Sequence, residues 1–305
     1  MCSNRVNFRP DHDIPDLSGQ VIIVTGGNSG LGFETIKQLA KHNPAHIYLA
    51  ARSSEKAERA IHDLRKLDGV TAPISHLPLD LSSFESIKDA VAKFHQSESR
   101  LDTLINNAGI MMVAEGLTEE GYEIQFGTNV MGHALLTKLL LPIIQQTAQI
   151  NPEARVVTLS SASEAMAPSD IYKFNELKTT MSDRSTQARY CISKIGNAHY
   201  SAAMARHCTD VKFVCVHPGM VDTNLHVQSS GVFLRAFLYT AIYLFATPLD
   251  KGAHSQIWAS VSPDAKSGEF YAPVGQPGKG SKRSRSEELS ETLFHWIQEE
   301  LRRHL

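Results

Sequence analysis

The chain has 305 residues, 42% of them hydrophobic and 7% aromatic, enough apolar material for one large α/β domain or two small ones. Thirty Lys plus Arg against 32 Asp plus Glu leave a formal net charge of −2, which argues against nucleic acid or an anionic membrane surface as partner and leaves a small molecule as the default. The four cysteines, Cys2, Cys191, Cys208 and Cys215, form no CxxC pair and have no histidine at ligand spacing, so neither a disulfide framework nor a metal site is expected and a cytoplasmic, reduced setting fits best.

The opening stretch "MCSNRVNFRPDHDIPD" lacks the apolar core of a signal peptide. From residue 20 onward, short apolar runs alternate with longer amphipathic ones. "VIIVT" (21 to 25), "HIYLAA" (46 to 51), "ISHLPL" (74 to 79), "DTLINN" (102 to 107), "RVVTLS" (155 to 160) and "KFVCVH" (212 to 217) are rich in β-branched residues and end in turn formers, which predicts strands. Between them lie helical periodicities, such as Phe84, Ile87, Val91 and Phe94 on one face of a segment opened by Ser82 and Ser83 as candidate caps. Strands in this order need parallel pairing through right-handed helical crossovers, and a parallel sheet must be covered on both faces. The reading is a doubly wound three-layer αβα sandwich, with "GEFYAP" (268 to 273) adding a seventh strand and residues 1 to 305 forming one domain.

The longest apolar run, "GVFLRAFLYTAIYLFA" (231 to 246), is broken by Arg235 and falls short of the ~20 residues that span a bilayer, so no transmembrane segment is expected. Within 223 to 252 it reads as a substrate lid, a core helix or a membrane-surface helix, the last of which would give peripheral membrane contact. The tail from 274 begins with "GQPGKGSKRSRS" (275 to 286), where Gly, Pro and Ser around scattered cations read as a solvated loop rather than a localisation signal.

Directly after "VIIVT" comes "GGNSGLG" and then "FETIKQLAKH", which puts Gly26, Gly30 and Gly32 in a strand-to-helix turn. Glycines let a backbone approach a pyrophosphate closely, and the helix N-terminus aims free N–H groups at the same anion. The spacing TGxxxGxG resembles that of the short-chain dehydrogenase/reductase family. "DL" at Asp80 and Leu81, "NNAG" at 106 to 109, "TN" at Thr128 and Asn129, "SS" at Ser160 and Ser161, "YCISK" at 190 to 194 and "HPGMVDT" at 217 to 223 extend the resemblance over residues 18 to 225. Within the family the chain looks most like retinol-dehydrogenase and carbonyl-reductase-like members, including fungal proteins with a similar "GKGS…EELxExLxxW" tail.

The resemblance implies a Rossmann-type fold with a mostly parallel seven-stranded sheet and a nicotinamide cofactor. It places Gly26, Asn28, Ser29, Gly30, Leu31 and Gly32 at the turn after the first strand, and Asp80 and Leu81 with Asn107, Ala108 and Gly109 among the further cofactor-binding positions. Pro218, Gly219, Val221 and Thr223 fall beside the nicotinamide. Tyr190 becomes the acid/base, Lys194 lowers its pKa and binds the ribose, Ser161 bonds the substrate oxygen, and Asn129 holds a relay water to Lys194. Ser161 rather than Ser160 matches the catalytic position. Both Tyr190 and Lys194 lie on one helix face, one turn apart. Nearby Cys191 reads as a small buried side chain, and the excursion around "SDIYKFNELK" as a border of the substrate pocket.

Cofactor choice is read after the second strand, where "IYLAARSS" carries no carboxylate to hold two ribose hydroxyls. Arg52 offers a planar fork for a 2′-phosphate, with Ser53 and Asn28 as further donors, so NADP(H) is expected. Arg52 could also pair with Glu55 or Glu58. The expected activity is hydride transfer between NADP(H) and a carbonyl or secondary alcohol of a lipophilic small molecule. Alternatives are a catalytically idle NADPH sensor or scaffold, and a retinol-like dehydrogenase working oxidatively. A homodimer is open, since the long helices around 120 to 146 and 185 to 208 are where relatives pair.

Overall fold

The computed structural model describes residues 6–219, 221 and 247–305. Thr223 and the rest of the apolar stretch up to residue 246 lie outside the described residues. Seven strands form one sheet: β1 Val21–Thr25, β2 His46–Ala51, β3 Ile74–Pro78, β4 Thr103–Asn106, β5 Arg155–Leu159, β6 Lys212–Val216 and β7 Phe270–Tyr271. Their order is β3-β2-β1-β4-β5-β6-β7, and every described pairing is parallel. The seventh strand is shorter than "GEFYAP" suggests, with Phe270 and Tyr271 alone in the ladder. Pro78 costs little, since it ends a strand at the sheet edge.

Alternate residues of each strand enter opposite cores. Val21, Ile23, Leu104, Val156 and Phe213 face one layer, while Ile22, Val24, Ile105, Val157 and Val214 face the other. Both layers exclude water, so a strand such as "VIIVT" reads as unbroken apolar sequence. On the second face lie α1 (Gly30–Leu39), α2 (Ser54–Arg65) and, later in the chain, the helix Leu249–Val261. On the first lie α3 (Phe84–Ser97), α4 (His133–Ala148), α5 (Thr186–His207) and the C-terminal helix Glu287–Leu301. In chain order the last two helices of the fold become α6 (Leu249–Val261) and α7 (Glu287–Leu301).

Of the two candidate serines before α3, Ser83 is the cap: its hydroxyl accepts from the Ser86 N–H. Ahead of α4 the chain makes a π-helical turn, Gly127–Gly132, a local widening that such helices tolerate mostly where function requires it. The tail does not run as a solvated loop. Gln276 and Ser284 are buried, and Arg283 donates to the carbonyls of Ala167 and Pro168. Composition alone hid this, because the partners sit more than a hundred positions upstream. The excursion 162–185 packs the same way, with Phe174 stacked on Trp296 of α7 at 4.8 Å and Leu177 fully buried.

Candidate active site

In an open doubly wound sheet the ligand crevice lies beyond the carboxyl ends of the strands, where the order reverses. Here that point falls between β1 and β4. Gly26, Arg52, Asp80, Asn107, Ser161 and Pro218 all follow strand ends on that edge, so the topology alone gathers them.

The turn after β1 is built for close backbone approach. Gly26 and Gly30 have φ of +65° and +55°, a region side chains avoid. A Cβ on Gly32 would meet the Gly26 carbonyl and stand 2.6 Å from Asn107 Nδ2, and one on Gly26 would stand 3.0 Å from Ala108 Cα. Asn107 Nδ2 donates to the Thr25 carbonyl at 2.7 Å, and the Ala108 N–H donates to Thr25 Oγ1 at 3.0 Å. The β1 and β4 turns are therefore one cradle. Ser29, extended and exposed at the start of α1, gives its helix no side-chain cap, and Asn28 beside it is half-buried. Leu31 is buried, leaving an uncapped helix N-terminus facing the crevice, which is what a pyrophosphate needs. The residues present thus fit a dinucleotide.

At the end of β2 the Arg52 side chain is 77% exposed and lies 3.6 Å from Asp80 Oδ2. Neither expected glutamate engages it: Glu55 pairs with Arg59 one helical turn on. Ser53 caps α2, its hydroxyl accepting from the Lys56 N–H. Leu81 is buried, and its carbonyl stands against Gly132 so closely that a Cβ there would collide.

Across the crevice, Tyr190 and Lys194 occupy successive turns of α5, both buried, with the ammonium 5.7 Å from the phenol ring centre. Lys194 Nζ donates to the Leu159 carbonyl at 3.1 Å. Burial pushes Lys194 down to about 8 and Tyr190 up to about 12, while the hydroxyls of Ser161 and Ser163 pull the phenol the other way. Burial dominates at the phenol, because a fully buried phenolate loses its hydration. Ser161 Oγ accepts from the Ser163 N–H, whereas Ser160 Oγ donates to the Lys194 carbonyl at 2.7 Å and is tied into the scaffold.

Asn129 lies in the π-helical turn, fully buried. It accepts from the Ile110 N–H and donates to the Ile110 carbonyl, both at 2.9 Å, and donates to Ser193 Oγ at 3.0 Å. A Cβ on Gly109 would lie 3.2 Å from Asn129 Oδ1 and 3.5 Å from Lys194 Nζ, so the three groups converge on one point. Beyond β6, Gly219 turns the chain with φ +92°, and Val221 packs on Gly252 of α6. Pro218 is half-buried. His217 is pushed down to about 4 by burial. Cys191 is buried and pushed up to about 11, an inert thiol.

The short chain dehydrogenase family model matches residues 20–172. A short-chain dehydrogenase/reductase of Armillaria gallica is 38% identical over 94% of this chain and 92% of its own. The chain belongs to the short-chain dehydrogenase/reductase family. Human retinol dehydrogenase 13 is 36% identical over 74% of this chain and 66% of its own length. Among solved structures, a protein of Mycobacterium paratuberculosis superposes with a TM-score of 0.72 at 27% identity, covering 96% of both chains. Membership makes this an oxidoreductase of the NAD(P)-dependent dehydrogenase/reductase type. Among the described residues no helix is long and apolar enough to cross a membrane.

Several residues of this short-chain dehydrogenase/reductase site escaped the sequence reading. His133, four positions after Asn129, bonds the Asn129 carbonyl through Nδ1 at 3.1 Å and Thr25 Oγ1 through Nε2 at 3.0 Å, and burial holds it down to about 4 and hence neutral. A lone polar residue in "VMGHALL" was the available signal. Buried Arg189, just before Tyr190, pairs with buried Glu123 at 3.3 Å. Gln256 of α6 donates to Asn107 Oδ1 at 3.1 Å and to Thr35 Oγ1 at 2.5 Å, bracing the cradle from behind.

Proposed function

We propose that the protein is an NADP(H)-dependent ketoreductase acting on a carbonyl group of a lipophilic small molecule. The observation that carries this reading is the buried convergence of Lys194 and Asn129 on Gly109, with the Tyr190 ring 5.7 Å from the Lys194 ammonium and Ser161 beside the phenol. A nicotinamide cofactor held by the Gly26–Gly32 cradle and Lys194 would supply the hydride that the carbonyl carbon accepts. Tyr190 gives its phenolic proton to the oxygen as negative charge develops there, so that the C=O bond becomes a CH–OH group. Ser161 Oγ donates a hydrogen bond to the same oxygen and stabilises that charge. Lys194 holds the ribose and, as an ammonium, favours the phenolate left behind. Asn129 fixes the Ile110 backbone and lies beside Lys194, through which the proton is replaced from solvent.

Burial keeps Tyr190 protonated, the form that donates to a carbonyl oxygen, which is consistent with the reductive reading. NADP(H) is favoured by the exposed Arg52 guanidinium at the end of β2, with the uncapped turn at Asn28 and Ser29 opposite. A lipophilic substrate is supported by Met166, 60% exposed on the turn that follows Ser161, and by the retinol named for the human relative. Free, buried Cys191, Cys208 and Cys215 fit a cytosolic setting.

The experiment is a panel of ketones and aldehydes incubated with the protein and NADPH, following loss of NADPH absorbance. Turnover of apolar members with preference for NADPH over NADH is expected. NADPH binding without turnover of any carbonyl compound would instead make the protein an idle cofactor binder, and turnover only of alcohols with oxidised cofactor would assign the oxidative direction.

A further inference from the structure

The tail segment "GKGSKRSRS" (278 to 286) has no part in the proposed chemistry, yet several hydrogen bonds tie it to the loop after β5. The Ser281 N–H donates to Glu164 Oε1 and its hydroxyl to Glu164 Oε2, both at 2.7 Å. Two residues on, Arg283 Nη1 donates to the Pro168 carbonyl at 2.6 Å and to the Ala167 carbonyl. The Arg283 carbonyl accepts from His199 Nε2 at 2.9 Å, and His199 Nδ1 faces the Tyr172 hydroxyl at 2.5 Å. Donation to the carbonyl fixes the tautomer, with Nδ1 as acceptor.

The Ser281 bonds fall on one turn, and the Arg283 donations fall on the two residues that follow it. Residues Ala162–Met166 form a five-residue 3₁₀ segment that begins at Ser161 and carries Ser163 and Glu164. At its two ends the Glu164 N–H donates to the Ser161 carbonyl at 3.1 Å and the Ala167 N–H to the Glu164 carbonyl at 3.2 Å. Such short 3₁₀ pieces are weak on their own. Glu164 is only 3% exposed, and a buried carboxylate is tolerated only when hydrogen-bonded, so losing Ser281 would expel it towards water and drag the turn with it.

We propose that residues 278–286 are a brace that positions Ser161 and Ser163 against Tyr190, with Glu164, Ser281 and Arg283 as positioning residues that never touch substrate. The proposal rests on the reading of Tyr190 as the acid. Both serine hydroxyls pull the phenol pKa down from the value burial would give, so releasing the brace lets it rise.

The test uses full-length Ser281→Ala, with Ser281→Thr as the variant that keeps the hydroxyl. Hydrogen exchange is followed by mass spectrometry, and the pH profile of carbonyl reduction is measured alongside. In Ser281→Ala, exchange in peptides covering 161–168 is expected to quicken about tenfold while that of β1 and α1 stays unchanged. The reduction rate kcat is expected to fall about tenfold with KM for NADPH unaltered, and the alkaline limb of its profile to move to higher pH. The Thr variant should restore all three. Unchanged exchange at 161–168, or faster exchange spread evenly over the sheet, would overturn the brace. So would a kcat loss with no movement of the alkaline limb. If the wild type reduces no carbonyl compound, the exchange result still decides the brace, and only the catalytic reading fails.

Discussion

The turn after β1 and the turn after β5 lie on opposite sides of one crevice and are held by opposite means. Around Gly26 and Gly32 the cradle is held by main chain packed against Asn107 and Ala108, where no side chain has room. The turn at Ala162–Met166 is instead held by Glu164 and by Ser281 and Arg283 from more than a hundred positions further on. A backbone cradle fixes the position of an anion that is always the same. A side-chain brace leaves the neighbouring surface free to vary with substrate, since the loop it holds carries few constraints of its own.

The largest expected effect lies on the backbone side. Gly32→Val pushes Cβ into the Gly26 carbonyl and Asn107 Nδ2, and overpacking of this kind costs about 1–3 kcal/mol, so NADPH affinity should fall ten- to a hundredfold by fluorescence titration. If affinity is retained, the cradle is not where the cofactor sits.

Next comes the charge facing that cradle. Burial holds Lys194 at about 8, so its ammonium is present below that pH and lost as pH rises through it. The kcat/KM for NADPH, which reports the free enzyme, should fall above about pH 8, and Lys194→Arg, which stays charged, should remove that fall. A flat wild-type profile to pH 9 would separate Lys194 from cofactor capture.

A smaller effect is expected at the rim. Arg52→Asp removes the fork and sets a second carboxylate near Asp80, so the ratio of kcat/KM for NADPH over NADH should drop by at least about tenfold. An unchanged ratio would place the 2′-phosphate elsewhere. Least of all, Ser53→Ala removes a helix cap worth about 1 kcal/mol and should lower Tm by a few degrees without altering that ratio. A change in cofactor preference would show that Ser53 also serves the phosphate.

The contrast between the two turns also explains what could be read in advance. Strand ends at Thr25, Ala51 and Leu159 follow from local apolar runs and turn formers, and Ser83 as a cap follows from its place before Phe84. The grouping of Gly26, Asn107, Ser161 and Pro218 follows once the strands are parallel, because each sits just past a strand end. What stayed hidden depends on side chains distant in sequence: Arg52 choosing Asp80 over Glu55, Glu123 meeting Arg189, Gln256 reaching Asn107, and the tail seizing Glu164. No periodicity encodes such pairs. The phenol pKa was hidden for a related reason, since the spacing of Tyr190 and Lys194 reveals their attraction but not the depth at which both are buried.

Proton donation by Tyr190 is read out by single-turnover reduction of an apolar ketone with wild type and Tyr190→Phe, each loaded with NADPH. The variant is expected to bind NADPH within about twofold of wild type while hydride transfer slows by roughly 10² to 10⁴, the contribution of a general acid. Transfer in Tyr190→Phe within a factor of about three of wild type, with the cofactor equally bound, would contradict it.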